Sequence, residues 1–178
     1  MRGVGKSTVG ELVAERFNSS FNDLDDLALI HLGASSVRDV FKQRGEAVWR
    51  NAESAALKKY FEVSAQGLPR VHSQTQGLPV LSVGGGAPSN PSCRQLLIDS
   101  RAAGWRTVLL TAPIDLLVQR LTADMGDRAH LTERSLAEEL SQLSCERAEF
   151  YSTLADAEVD GSADPSTVCD AVVALAFA

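Results

Sequence analysis

The string Arg2-Gly3-Val4-Gly5-Lys6-Ser7-Thr8 at the start of the chain carries residue types that bind phosphate. Small residues let backbone N–H groups curl around anionic oxygens, a lysine reaches the β and γ phosphates of a nucleotide, and a Ser/Thr hydroxyl holds Mg²⁺. Gly3, Val4, Gly5, Lys6, Ser7 and Thr8 fit the nucleotide-binding positions of such a P-loop, with Lys6 on the phosphates and Ser7 on the metal. The full pattern has another glycine five residues ahead of the second, after an apolar strand that feeds the loop. Counting back from Gly5 puts that glycine one position before Met1, so the first strand is missing from the chain as written. Five buried apolar side chains at about 1.5–3 kcal/mol each amount to about 8–15 kcal/mol, as much as a whole domain's net stability of about 5–15 kcal/mol. The expectation is a truncated or mis-started piece of a longer polypeptide, poorly folded or inactive by itself.

The elements that must position these residues follow from hydrophobic spacing. Behind the loop, Val9, Leu12, Val13 and Phe17 recur at helical intervals while Gly10 and Glu11 fall on other faces. A short strand over 19–23 ends in Asp23-Leu24-Asp25-Asp26, and helices follow at 27–32 and 36–41. A long amphipathic helix covers 46–63, with Arg50 and Glu53 on one face. The segment 65–79 contains Gln-Gly-Leu-Pro twice and reads as a variable loop. Strands at 79–83 and 106–111, with helices at 90–99 and 114–121, alternate as in a doubly wound parallel sheet. A polar segment at 122–132 leads into a helix reaching Tyr151, then a strand at 157–160 and a last helix at 165–176 with Pro165 in its first turn.

Composition narrows the function classes. With 178 residues and 44% hydrophobic content, one domain over 1–178 is expected. A net charge of −6 without a Lys/Arg run argues against a nucleic-acid surface. Cys93, Cys145 and Cys169 show no metal or disulfide spacing and read as core filler in a reducing compartment. No stretch reaches membrane-spanning length and no targeting leader precedes the loop, so a cytoplasmic protein is expected.

Further residues stand at matched distances. Asp23-x-Asp25 follows Lys6 by 17 residues, and then come Phe41-x-x-x-Gly45-Glu46-x-x-x-Arg50-x-x-Glu53, Gly84-Gly85-Gly86-Ala87, Asp127-Arg128 and Arg147-Ala-Glu-Phe-Tyr151. In these motifs the chain resembles the shikimate kinase family over almost its whole length. Its opening residues also resemble the kinase domain inside the fungal pentafunctional shikimate-pathway polypeptide. The resemblance implies an α/β three-layer P-loop kinase fold with a central parallel sheet, helices on both faces and a lid at about 122–132.

It also implies roles. ATP and Mg²⁺ would bind at the loop, with Asp23 supporting the metal through water. Asp25 would take the acceptor hydroxyl, and Lys6, Asp25 and Arg128 would form the catalytic set. Arg128 would close over the transferring phosphate, and Arg120 would sandwich adenine opposite 163–165. Arg50 and Arg147 would clamp the shikimate carboxylate, as guanidinium forks do, with Gly84, Gly85 and Gly86 beside them. Three residues depart from the pattern, Ala129-His130 standing for Pro-Leu after the lid arginine and Glu149 for the proline of Arg-x-Pro-x-Tyr. Shikimate would be the small-molecule partner of a monomer or of a domain in a larger polypeptide, with no nucleic acid or membrane involved. A gluconate-type kinase would share the P-loop without needing the Arg50, glycine and Arg147 set. A non-catalytic sensing domain would keep that set and lose turnover.

Overall fold

Side-chain caps fix where most helices begin. Asp23 accepts from the Asp25 amide ahead of α2 (Leu24–Leu32), Ser36 caps α3 (Val37–Arg44), and Asn90 caps α5 (Pro91–Ser100). Ser135 caps α7 (Leu136–Leu154) and Asp164 caps α8 (Pro165–Leu175). Each oxygen satisfies an amide that has no partner inside its helix. The remaining helices are α1 (Lys6–Arg16), α4 (Glu46–Gly67) and α6 (Ile114–Met125). The structure, a computed structural model, describes residues 1–67, 77–125 and 135–176.

Four short strands complete the fold: β1 (Phe21–Asp23), β2 (Val80–Ser82), β3 (Val108–Thr111) and β4 (Ala157–Asp160). β1 and β2 run parallel with Phe21 opposite Val80 and Asp23 opposite Ser82. β3 and β4 run parallel with Val108 opposite Ala157 and Thr111 opposite Asp160. Among the described residues no backbone ladder joins β2 to β3, so the expected central sheet stands as two parallel pairs. Side chains bridge them. Val80 and Val108 pack on one apolar cluster with Val4, Val9, Val13, Leu110 and Val159, while the next residue of β2, Leu81, packs on a second with Leu24, Trp49, Leu57 and Leu97. That alternation is the period of a strand, and it gives three layers. Helices α1, α6 and α8 cover one face, and α2 to α5 cover the other.

The helix boundaries run longer than the hydrophobic spacing suggests. α6 extends to Met125, into the segment expected to be a lid, and α4 extends to Gly67, into the expected 65–79 loop. A 3-10 turn at Ala87–Ser89, which has no sequence periodicity, follows the glycine run. Gly10 does not face outward. It is buried, and an added Cβ would lie 2.5 Å from the Phe21 ring, so α1 approaches β1 through a residue without a side chain. Cys93, Cys145 and Cys169 are free thiols; Cys93 and Cys169 are buried as core filler, Cys145 is exposed and is not, and burial pushes the Cys93 thiol up to about 11, which suits packing and not nucleophilic chemistry.

The start of α7 is a full capping box. The Glu138 carboxylate accepts from the Ser135 amide at 2.9 Å, and the Ser135 hydroxyl accepts from the Glu138 amide at 3.3 Å. Ser135→Ala removes the acceptor and is expected to cost about 0.5–2 kcal/mol, lowering Tm by about 2–4 °C per kcal/mol for a chain of this size. A melting curve superimposable on that of the parent would show that the box contributes nothing.

Candidate active site

The phosphate loop owes its shape to two glycines. Gly3 and Gly5 adopt φ of +74° and +95°, where an L side chain is strained. Gly5 occupies the N-cap position of α1, which has no side-chain cap and no acidic residue in its first turn. The leading N–H groups and the positive end of the helix dipole therefore form a receptor for an anion. Val4 is buried in the core, so only its backbone is available to a ligand. Lys6 Nζ donates to the Met1 carbonyl at 3.0 Å, folding back over the loop. Burial lowers the Lys6 pKa, against the opposing pull of Asp23 and Asp25. Thr8 is exposed one residue beyond Ser7.

Two other elements press on this loop. An added Cβ on Gly3 would lie 3.0 Å from the Leu121 side chain of α6, and one on Gly161, just after β4, would lie 3.0 Å from the Val4 carbonyl. Arg120 donates from Nη1 to the Gly161 carbonyl at 3.0 Å and from Nη2 to that of Ser162 at 3.4 Å. The arginine expected at adenine is thus held against the β4–α8 turn, beside the phosphate loop.

Asp23 uses both carboxylate oxygens. Oδ1 caps α2 through the Asp25 amide at 3.0 Å, and Oδ2 accepts from the Ser7 hydroxyl at 3.3 Å. One residue thus joins the start of α2 to the phosphate loop. A hydroxyl and a carboxylate at the mouth of a phosphate loop suit Mg²⁺, which keeps several waters and takes further ligands from substrate phosphates. Among the described residues no group of three or more His, Cys, Asp or Glu would cage an ion without such help.

A second set of groups gathers around the glycine run after β2. An added Cβ on Gly84 would stand 2.8 Å from Asp25 Oδ1 and 3.3 Å from Glu53 Oε1. On Gly86 it would fall on the Arg50 guanidinium, 2.7 Å from Cζ, and on Gly85 it would meet the Tyr151 hydroxyl at 3.1 Å. These glycines are required by close approach. Arg50 Nη1 donates to Glu53 Oε2 at 2.7 Å, while Nε and Nη2 donate to Glu46 Oε1 at 3.1 and 2.9 Å. Glu53 is 1% exposed and Glu46 is 62% exposed. Burial raises the Asp25 pKa and Asp23 adds to the rise, against the opposing pull of Lys6 and Arg50. Burial likewise raises Glu53, against the Arg50 hydrogen bond.

Arg147 is half-buried on α7, one turn ahead of Tyr151, whose hydroxyl donates to the Gly85 carbonyl at 2.8 Å. Its charge, after burial and Lys6, lowers the Met1 amine, which lies against Gly85. Glu149, the departure next to it, is exposed. Lys6, Ser7, Asp23, Asp25, Arg50, Arg147 and the three glycines therefore converge on one cleft. Arg128 lies outside the described residues. Sequence reading gave no role to Glu53 and Tyr151, although both sit in the quoted motifs. The signals for them were the i,i+3 spacing from Arg50 and the i,i+4 spacing from Arg147.

A family model described as shikimate kinase matches residues 2–176. The shikimate kinase of Geobacter sulfurreducens is 33% identical over 174 residues, covering 98% of this chain and 84% of its own length. The structure of an Acinetobacter baumannii shikimate kinase in complex with shikimate superposes with a TM-score of 0.78 at 23% identity, over 98% of this chain and 88% of that one. A gluconokinase from Sinorhizobium meliloti aligns over 98% of this chain and 86% of its own, with a TM-score of 0.53 at 21% identity, a likeness of fold alone. With a family model spanning nearly every residue and the phosphate loop, paired aspartates and glycine cleft in one place, the chain belongs to the shikimate kinase family.

Proposed function

We propose that this chain transfers the γ-phosphate of ATP to the 3-hydroxyl of shikimate, releasing ADP and shikimate 3-phosphate. The observation that carries the reading is the meeting of Asp25, Arg50 and Gly84–Gly86 beside the phosphate loop. Phosphoryl transfer needs an acceptor hydroxyl in line with the phosphate and charge to stabilise the spread negative transition state. Lys6 and the loop amides hold the phosphates. Mg²⁺, on Ser7 and through water on Asp23, would neutralise phosphate charge. Asp25 receives the hydrogen bond of the acceptor hydroxyl and orients it. The new bond joins the acceptor oxygen to phosphorus as the bond to the β–γ bridging oxygen breaks, and the hydroxyl proton passes to Asp25 or solvent.

Arg50 and Arg147 flank the glycine run and hold the substrate carboxylate. In the free protein Arg50 is shared between Glu53, which is buried, and Glu46, which is exposed. A solvent-exposed pair is worth about 0–1 kcal/mol, so Glu46 yields its two N–H groups to a planar carboxylate while Glu53 keeps the guanidinium in place. Gly85 and Gly86 offer backbone to the same acid. Arg128 is assigned by sequence position to the transferring phosphate, and Arg120 with 163–165 to adenine. The reading places the enzyme in the cytoplasm, as a monomer or as part of a larger polypeptide. No helix among the described residues is long and apolar enough to cross a membrane.

The direct test is ADP release from ATP and Mg²⁺ with and without shikimate. Shikimate-dependent turnover is expected, reduced about 10²–10⁴-fold in Asp25→Asn and about 10³-fold or more in Arg128→Ala. Shikimate binding without turnover would instead favour a sensing domain, and turnover with gluconate alone would favour the other kinase class.

Asp25→Asn carries a second expectation of opposite sign. Folding raises the Asp25 pKa, so the folded chain binds a proton that the unfolded chain releases. Stability therefore falls as pH rises from the ordinary aspartate value through the raised one. The Asn variant should melt higher than the parent at neutral pH, and the gain should vanish in acid below the ordinary aspartate pKa. A lower Tm at every pH would show that the ionised carboxylate stabilises the fold.

Gly86→Ala puts a methyl group on the Arg50 guanidinium. It is expected to raise KM for shikimate by roughly tenfold or more, the effect of losing a charge-assisted hydrogen bond worth about 1.5–3 kcal/mol, with KM for ATP unchanged. Unchanged KM for both substrates would remove Arg50 from the carboxylate site.

A further inference from the structure

The glycine run and α7 come from distant parts of the chain, yet Arg50 and Arg147 can grip one small acid only if their separation is fixed. The 84–90 segment is held on three sides. Asn90 Nδ2 donates to the Arg50 carbonyl at 3.0 Å, fastening the segment to α4. The Tyr151 hydroxyl donates to the Gly85 carbonyl, fastening it to α7. Arg94 supplies the third hold, and it joins two elements at once. Its Nη1 donates to the Pro88 carbonyl at 2.6 Å and to the Ser89 carbonyl at 3.3 Å, while its Cζ lies 4.4 Å from the centroid of the Phe150 ring.

Phe150 precedes Tyr151 and stands three residues after Arg147, so the ring and the Arg147 side chain emerge from neighbouring positions of one helical surface. A guanidinium fits this junction better than an ammonium. Its planar face stacks on an aromatic ring while its in-plane N–H groups reach carbonyls at the edge. We propose that Arg94 is a positioning residue, clamping the 3-10 turn at Ala87–Ser89 to Phe150 and so setting the distance between Arg147 and the Arg50–glycine side of the cleft. Arg94 touches no substrate. It acts through the turn and through α7, and its role rests on the reading of Arg50 and Arg147 as the carboxylate grip.

The test uses the full chain with Arg94→Met, Arg94→Lys and Phe150→Leu, reading kinetics for both substrates and amide hydrogen exchange. In the parent, the Ala87, Ser89 and Asn90 amides donate to the Gly84, Gly86 and Ala87 carbonyls, so loosening of the turn registers as faster exchange at those amides. Arg94→Met is expected to raise KM for shikimate roughly tenfold, leaving KM for ATP and kcat at saturation within about threefold. Phe150→Leu should act in the same direction, and Arg94→Lys should fall between parent and Met because it keeps the charge on the ring without the fork. Exchange at 87–90 that is unchanged in Arg94→Met overturns the clamp, whatever the enzyme does. Faster exchange with an unchanged shikimate KM, or an equal rise for both substrates, overturns the positioning role. A parent chain with no shikimate-dependent turnover, whose 87–90 amides still respond to Arg94→Met, would sink the kinase reading while supporting the clamp.

Discussion

The buried ion pair between Arg50 and Glu53 is the constraint around which the cleft is built. Glu53 is 1% exposed, and a carboxylate so placed is tolerable only with a partner at close range. Arg50 supplies one at 2.7 Å. Burial nonetheless outweighs Arg50 in its effect on Glu53, whose pKa stays raised. The pair is therefore a poor source of stability. What it does is hold a guanidinium at a fixed point on α4, with Cζ 5.8 Å from the centroid of the Phe41 ring of α3. The glycine run follows from this. With Asp25, Glu53, Arg50 and the Tyr151 hydroxyl all within about 3.4 Å of where Cβ atoms would stand, no residue with a side chain fits at 84, 85 or 86 without moving one of them.

Much of this was legible in the sequence where local chemistry decides the outcome. The phosphate loop announces itself because its conformation needs glycine at Gly3 and Gly5. α1 and α4 follow from apolar spacing, and Ser36 and Asn90 cap helices at the expected starts, whereas Asp23 begins α2 at Leu24, three residues ahead of the expected 27. What was not legible depended on contacts between distant segments. Gly10 looks like a surface residue in a helical projection and becomes buried because Phe21 lies over it. The extension of α6 to Met125 runs against a polar composition that suggests a loop. Separation of the strands into two pairs is a matter of backbone partners, which no hydrophobic pattern records.

Site residues divide in the same way. Lys6, Ser7, Asp23, Asp25, Arg50 and Arg147 stand out as charged or hydroxyl groups in recognisable spacings, and the fold brings them together. Arg94 carries no such mark. Its carbonyl partners are 6 and 5 residues away and its aromatic partner is 56 residues on, so its place between the glycine segment and α7 exists only after the chain has folded. The buried Glu53 is intermediate. Its spacing from Arg50 is visible, but its burial, which makes the pair matter, is not.

An acidic chain can hold an anion because net charge is a poor guide to local field. The cations converge from α1, α4 and α7: Lys6 and Arg50 face Asp23, Asp25 and Glu53, and Arg147 lies near the Met1 amine. Asp25 suffers from this crowding, since burial and Asp23 work against its ionised form more than Lys6 and Arg50 favour it. A hydroxyl that donates a hydrogen bond to Asp25 favours the carboxylate. It replaces solvation that the fold removed and that, among the described residues, no side chain supplies by hydrogen bond. In the proposed reaction an acceptor alcohol would donate to this desolvated carboxylate, so the burial that disfavours ionised Asp25 would favour a ligand carrying a hydroxyl at that point and a carboxylate at Arg50.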